Sequence, residues 1–133
     1  MMKMFEPLPP ETEALAKQTV DAAMKVHRAL GPGLLESVYE KCLTHELRTR
    51  EIAVQAQVNV PVVYEGLRLE SGLRLDLLID KQLIVEIKAV EQLSPVHKAQ
   101  VRTYLKITKL KLALLINFNI DMLREGIKRI IQS

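Results

Sequence analysis

Two apolar runs around a short polar break dominate the pattern at residues 73–90, LRLDLLIDKQLIVEIKAV. Alternating positions on either side of a three-residue turn, Asp80-Lys81-Gln82, predict an antiparallel hairpin, because successive side chains on a strand point to opposite faces. The register that follows sets Ile79 opposite Leu83, Leu77 opposite Val85, Leu75 opposite Ile87, Asp76 opposite Glu86 and Arg74 opposite Lys88. Leu75, Leu77, Ile79, Leu83, Val85 and Ile87 then share one apolar face. Arg74, Asp76, Glu86 and Lys88 occupy the other.

The remaining pattern supplies a scaffold around this hairpin. Pro9-Pro10, followed by Glu11 and Glu13, opens a helix to about Leu30, with Ala16, Val20, Ala23, Met24 and His27 or Leu30 at helical spacing. Gly31-Pro32-Gly33 ends it. A second helix from about Leu34 to Arg50 carries Leu35, Val38, Tyr39, Cys42, Leu43 and Leu47 on one side, with Glu36 at the border. Val54, Ala56, Val58, Val60 and Val62 alternate with Gln55, Gln57 and Asn59, which reads as a half-buried strand, and Pro61 marks it as an edge or a bulge. Glu65-Gly66 turns the chain back. Ser94-Pro95 opens a helix to about Ile107, and the unbroken apolar run from Leu112 to Phe118 has the character of a strand covered on both faces. Strand, helix and strand in that order predict a right-handed crossover between parallel strands. Gly126 breaks any helix before it, and Ile127 to Ile131 reads as a last strand. The expectation is one α/β (α+β) domain over residues 1–133, a central mixed sheet flanked by helices.

Composition narrows the class without naming an activity. At 133 residues and 48% hydrophobic content, a core can be buried without disulfides or a structural metal. The lone cysteine, Cys42, lies on an apolar helix face and excludes an internal disulfide or a cysteine-rich zinc site. It suits a reducing cytoplasm. The N-terminal residues carry no long apolar stretch behind their charge, and nowhere do about 18 uncharged apolar residues run together, which argues against export and membrane spanning. A net charge of +3 favours a phosphate-rich partner mildly. With aromatics at 4% and no recognition-helix pair or zinc finger, sequence-specific base reading by this domain alone is not expected.

The charged hairpin face carries the chemistry. Carboxylates directly opposite one another repel, so a cation is expected between Asp76 and Glu86. Hard Mg²⁺ or Mn²⁺ suits carboxylate oxygens, backbone carbonyl and water. Lys88, two residues beyond Glu86 on the same face, is within reach of a phosphate oxygen or of the attacking water. An ion-pair ladder, with Arg74 and Lys88 merely neutralising the two acids, is the bland alternative.

The order Asp76, then Glu86-Ile87-Lys88 at the end of the following strand, resembles the PD-(D/E)XK nuclease superfamily, although Leu75 stands where that pattern has proline. Gly33-Leu34-Leu35-Glu36-Ser37-Val38-Tyr39 matches G-x-x-E-x-x-Y, the signature of the GxxExxY family within it. Val26-His27-Arg28-Ala29-Leu30-Gly31-Pro32, Gln100-Val101-Arg102-Thr103-Tyr104 and Leu115-Ile116-Asn117-Phe118 fit in the same order, so the resemblance runs from about Val20 to near the C-terminus. It implies a restriction-endonuclease-like core and metal-dependent hydrolysis of phosphodiesters in nucleic acid, DNA before RNA. The implied metal ligands are Asp76, Glu86, the Ile87 carbonyl and Glu36. Asp76, Glu86 and Lys88 are the implied catalytic group. Gln100 and Tyr104 resemble the Q-x-x-x-Y element that supports the metal face or the nucleic acid, and Tyr39, mainly structural, would bring its hydroxyl near the site. Arg74 could clamp a phosphate or simply offset Asp76. His27 and His97 have no partner at metal-ligand spacing.

Two other readings stay open. One is a nuclease-like fold that binds nucleic acid or a protein without cutting; the other is a hydrolase of some different phosphate ester. A chain so near the minimal core has room to act with a second copy or a protein partner.

Overall fold

The computed structural model describes residues 8–132. Residues 1–7, on which the expectation about export partly rests, lie outside the described residues, as does residue 133. Helix α1 (Pro10–Leu30) starts on a proline at its first turn, with Glu11 and Glu13 beside the positive end of the helix dipole, and stops at Gly31, whose φ of 71° suits glycine. Helix α2 (Glu36–Thr49) follows. Strands β1 (Val54–Tyr64) and β2 (Leu67–Ile79) form a long hairpin, and β3 (Leu83–Lys88) returns beside β2. Helix α3 (Pro95–Thr108) then leads to β4 (Leu112–Asn117), a short 3-10 turn (Leu123–Gly126) and β5 (Ile127–Ile131).

The five strands make one sheet in the order β1-β2-β3-β4-β5. β3 and β4 pair in parallel across α3, and every other neighbouring pair is antiparallel. This is the mixed sheet that the spacing of elements predicts. Helices α1 and α2 cover one face, burying Ala16, Ala23, Val26, Leu43 and Leu47 against Leu77, Ile79, Val85, Ile87, Leu114 and Ile116. On the other face α3 brings Val101 and Leu105 onto Leu73, Leu75, Ile84, Ala113 and Leu115. Burying each large aliphatic side chain contributes roughly 1.5–3 kcal/mol. All of β4 is buried because both of its faces are covered, which is why LALLIN is unbroken by polar residues until its last position.

Pro61 lies on the outermost strand and at a register shift between Val60 and Val62, so it meets both expectations at once. The β2–β3 turn uses Asp80 and Lys81 in left-handed conformation, with the Gln82 N–H donating to the Ile79 carbonyl at 2.9 Å.

Beyond that turn the hairpin departs from the expected ladder. Pairing of β2 with β3 runs Ile79–Leu83, Leu78–Ile84 and Leu77–Val85, and there it ends. The pairs Leu75–Ile87, Asp76–Glu86 and Arg74–Lys88 do not form as ladder partners. Leu75 also leaves the face it was expected to share: Leu77 and Ile79 pack under α1 and α2, whereas Leu73 and Leu75 pack under α3. Strand β1 does the same, with Val54 on the first side and Val58, Val60 and Val62 on the second. The switch falls between the pairs Ala56–Leu77 and Val58–Leu75, where Gln57 adopts φ 54° inside a strand. Since the register is the same on both sides of the switch, Gln57 and Asp76, facing one another, absorb the reversal together.

Candidate functional site

Where β2 and β3 stop pairing, side chains take over the work of the ladder. The Asp76 N–H donates to Glu86 Oε1 at 3.0 Å, and the Ile87 N–H donates to Asp76 Oδ2 at 2.8 Å. Each carboxylate thus accepts a backbone bond from the opposite strand, and the two acids are held together in the fork. Their closeness has an electrostatic consequence. Glu86 is only 3% exposed, and burial first, then the Asp76 charge, pushes its carboxyl up to about 8, against the opposing pull of the Asp76 N–H and of Lys88. Folded, the chain therefore holds the Glu86 proton more tightly than water would.

The neighbours are set by the same elements. Lys88, half-buried, ends β3 in register with Asn117, and its carbonyl accepts from the Phe118 N–H at 2.9 Å. Buried Asn117 ties that end of the sheet together, its amide donating to the Val90 carbonyl at 2.9 Å and its oxygen accepting from the Val90 N–H at 3.0 Å. From α3, half-buried Tyr104 looks onto the pair: burial first, and then the Glu86 and Asp76 charges, raise its hydroxyl above the ordinary tyrosine range. Gln100 is exposed one helical turn earlier, and Arg74 is exposed on β2 beside Asn59.

Helix α2 reaches the fork differently from what its motif suggests. Glu36, exposed at the helix start, accepts the Ala89 N–H at 3.1 Å, one residue past Lys88, instead of meeting the two acids. Among the described residues no three His, Cys, Asp or Glu side chains gather as a metal-holding group. The expected acidic cluster therefore reduces to a pair with Glu36 at its margin. Tyr39 serves the fold: it is fully buried, stacks on Phe118 at 4.5 Å, donates to the Gly31 carbonyl at 2.6 Å and accepts from the Leu34 N–H at 3.1 Å. Those bonds lock the Gly-Pro-Gly loop and occupy the hydroxyl. His27, buried, bonds the Ile120 carbonyl at 2.7 Å, and His97 accepts the Ser94 N–H at 3.0 Å to cap α3.

The sequence pattern does not single out Glu40, although it lies one helical turn after Glu36. Its carboxylate accepts from the Gln57 amide at 2.5 Å, and its pKa is raised, first by partial burial and also by the Asp76 charge, with Arg74 pulling the other way. It stands next to Asp76 through the strained residue across from it. Asn117 carries no signal of its own beyond its place in a matching motif.

Two paired carboxylates offer hard oxygen donors and an unmet need for positive charge, which fits a divalent cation that keeps several waters. A family model described as the PD-(D/E)XK nuclease superfamily matches residues 13–130. No curated protein matches the chain. A solved structure described as "Crystal structure of SSO0001" is similar at a TM-score of 0.56 and 17% identity, the match covering 93% of this chain and 63% of that one. At that identity the likeness speaks to the fold alone, and the chain spans less than two-thirds of that protein.

Proposed function

The chain belongs to the PD-(D/E)XK nuclease superfamily, and from that premise we propose that it is a metal-dependent nuclease of the GxxExxY type, cutting phosphodiesters in nucleic acid. The observation that carries the reading is the carboxylate pair in the β2–β3 fork, with Glu86 pushed up to about 8 by burial and by the Asp76 charge, and Lys88 two residues beyond it. Asp76 and Glu86 hold Mg²⁺ or Mn²⁺ in this proposal, with the Ile87 carbonyl and Glu36 as further oxygen donors. Bound there, the ion supplies positive charge between the acids, makes a water more acidic and offsets charge on the phosphate.

The protein's own groups do the rest. Lys88 orients the attacking water or holds a phosphate oxygen, Arg74 clamps the backbone, and the Tyr104 hydroxyl with Gln100 lines the α3 side. Asp76 also keeps the fork together through the Ile87 N–H, so its carboxylate is positioned before any ligand arrives. A second reading, binding of nucleic acid without cutting, is favoured by one observation: the acids gather as a pair and not as a larger group.

Incubating the purified protein with linear and circular duplex DNA, single-stranded DNA and RNA, in Mg²⁺, Mn²⁺ or EDTA, separates the two. Cutting that needs the metal and disappears in Asp76→Asn supports the nuclease; tight binding with no cutting under any metal supports the second reading.

A further inference from the structure

We propose that the open groove between α2 and the outer strand β1 is the track that holds the substrate strand by its phosphates as it leaves the carboxylate pair, an inference that rests on the nuclease reading. The groove encloses about 600 Å³ and is lined by Glu40, Lys41, Thr44, His45, Arg48 and Gln57, among others. One end abuts the fork, because Gln57 lies across from Asp76 in the hairpin register and binds Glu40. From there the groove follows α2 away from the site.

Three exposed side chains, Lys41, His45 and Arg48, recur at i, i+4 and i+7, which puts them on one ridge of the helix about one turn, or ~6 Å, apart. Lys41 and Arg48 differ in their pairing from Lys25 and Arg50 of the same helical layer. Lys25 and Arg50 share Glu46 at 3.1 Å each, whereas among the described residues no acid forms a salt bridge with Lys41 or Arg48. Arg48 is also oriented, one guanidinium nitrogen donating to the Val54 carbonyl at 2.8 Å and leaving the rest of the fork-shaped head for another acceptor.

Thr44 forms part of the groove wall. Thr44 is 7% exposed, and its hydroxyl is the only buried side-chain polar atom without a hydrogen-bond partner among the described residues. That hydroxyl is itself sealed from the groove, so the polar groups this wall offers an occupant are those of Lys41, His45 and Arg48. The unpaired charges of Lys41 and Arg48, with the His45 ring between them on the same ridge, suit a run of phosphates. No Phe, Tyr or Trp is among the groove-lining residues described, so bases have no stacking platform and the protein meets the backbone, independent of sequence.

The test is binding of fluorescent single-stranded and duplex oligonucleotides in Ca²⁺, titrated with salt, for the parent and for the double variant Lys41→Gln/His45→Gln. Affinity at low salt should fall by on the order of tenfold, and the slope of log affinity against log salt should shrink by about 0.7–0.9 for each phosphate that is no longer neutralised. Lys41→Arg alone should bind like the parent, as should Lys17→Gln on the exposed side of α1. Melting curves check that the double variant is folded, which exposed positions should permit. Unchanged affinity and slope in that variant, with the parent still cutting in Mg²⁺, would overturn the groove and leave the nuclease reading standing. A parent that neither binds nor cuts would overturn both.

Discussion

At Lys88 a cationic head ends a strand whose other side chains are buried, so a substitution there can remove charge and leave packing almost untouched. Lys88→Met keeps the stem. If the ammonium acts on the water or the phosphate, metal-dependent cutting should drop by on the order of 10²-fold or more, while binding measured in Ca²⁺ changes far less. A variant that cuts at the parent's rate removes Lys88 from the chemistry. Glu86 gives a test that needs no substrate. Its carboxyl rises from an ordinary 4.5 to about 8 on folding, so between those values the folded protein keeps a proton that the unfolded chain has released. Stability must then fall as pH rises through that window and level off above it. In EDTA the melting temperature should decline from pH 5 to pH 8, and Glu86→Gln, which never ionises, should flatten the decline; equal slopes for the two proteins would contradict the coupling.

The long β1–β2 hairpin is the element that turns a regular sheet into a site. A hairpin that only alternated would keep Leu73, Leu75, Leu77 and Ile79 on one side, yet here they divide between two cores, and the division coincides with Gln57 and Asp76. Left-handed backbone at a non-glycine residue is strained by about 1 kcal/mol or more, and at an active site such strain is kept when it aims a group. Substitution at Gln57 should therefore invert the usual strand preferences. Gln57→Val, a better strand former, should lower stability by about 1–2 kcal/mol, because a β-branched side chain resists positive φ, whereas Gln57→Gly should be tolerated and differ mainly through the missing bond to Glu40. Denaturant midpoints for both variants decide the matter, and a stabilised valine variant would refute the strained switch.

On the scale of the whole molecule, two helices pack on one face of the sheet and one on the other, and the carboxylate pair lies in the fork where β2 and β3 part, Glu86 buried and Asp76 half-buried. A cation bound only by the folded chain stabilises it by mass action. Mg²⁺ or Mn²⁺ at millimolar concentration should raise the melting temperature, and more at pH 8 than at pH 5, since the cation replaces the proton that Glu86 otherwise retains. Asp76→Asn keeps an oxygen for the Ile87 N–H but removes the repulsion, so without metal it should melt no lower than the parent at pH 8 and gain less from the ion. A variant that gains as much would take Asp76 out of the proposed metal site. No helix among the described residues is long and apolar enough to cross a membrane.

Periodicity and punctuation were sufficient for the elements themselves. Gly31 ends α1, Pro95 starts α3, the covered run LALLIN is β4 and Ile127–Ile131 is β5, because helix caps, turn residues and the burial of one or both strand faces are written in residues a few positions apart. The turn at Asp80 to Gln82 likewise dictated the first pairs of the hairpin, and with them the meeting of Asp76 and Glu86. Only the tertiary structure decided how those acids meet. Nothing local marks Gln57 for positive φ or tells a carboxylate to replace a carbonyl as the acceptor for the opposite strand, since both depend on two faces being packed at once by α2 and α3. The same holds for α2, where the motif pointed to Glu36 and nothing marked Glu40, yet the docking of the helix against β1 brought Glu40 beside Asp76 and sent Glu36 to Ala89. Sequence patterns carry which side of an element is apolar; which polar residue ends up at the seam follows from where packed layers leave a gap.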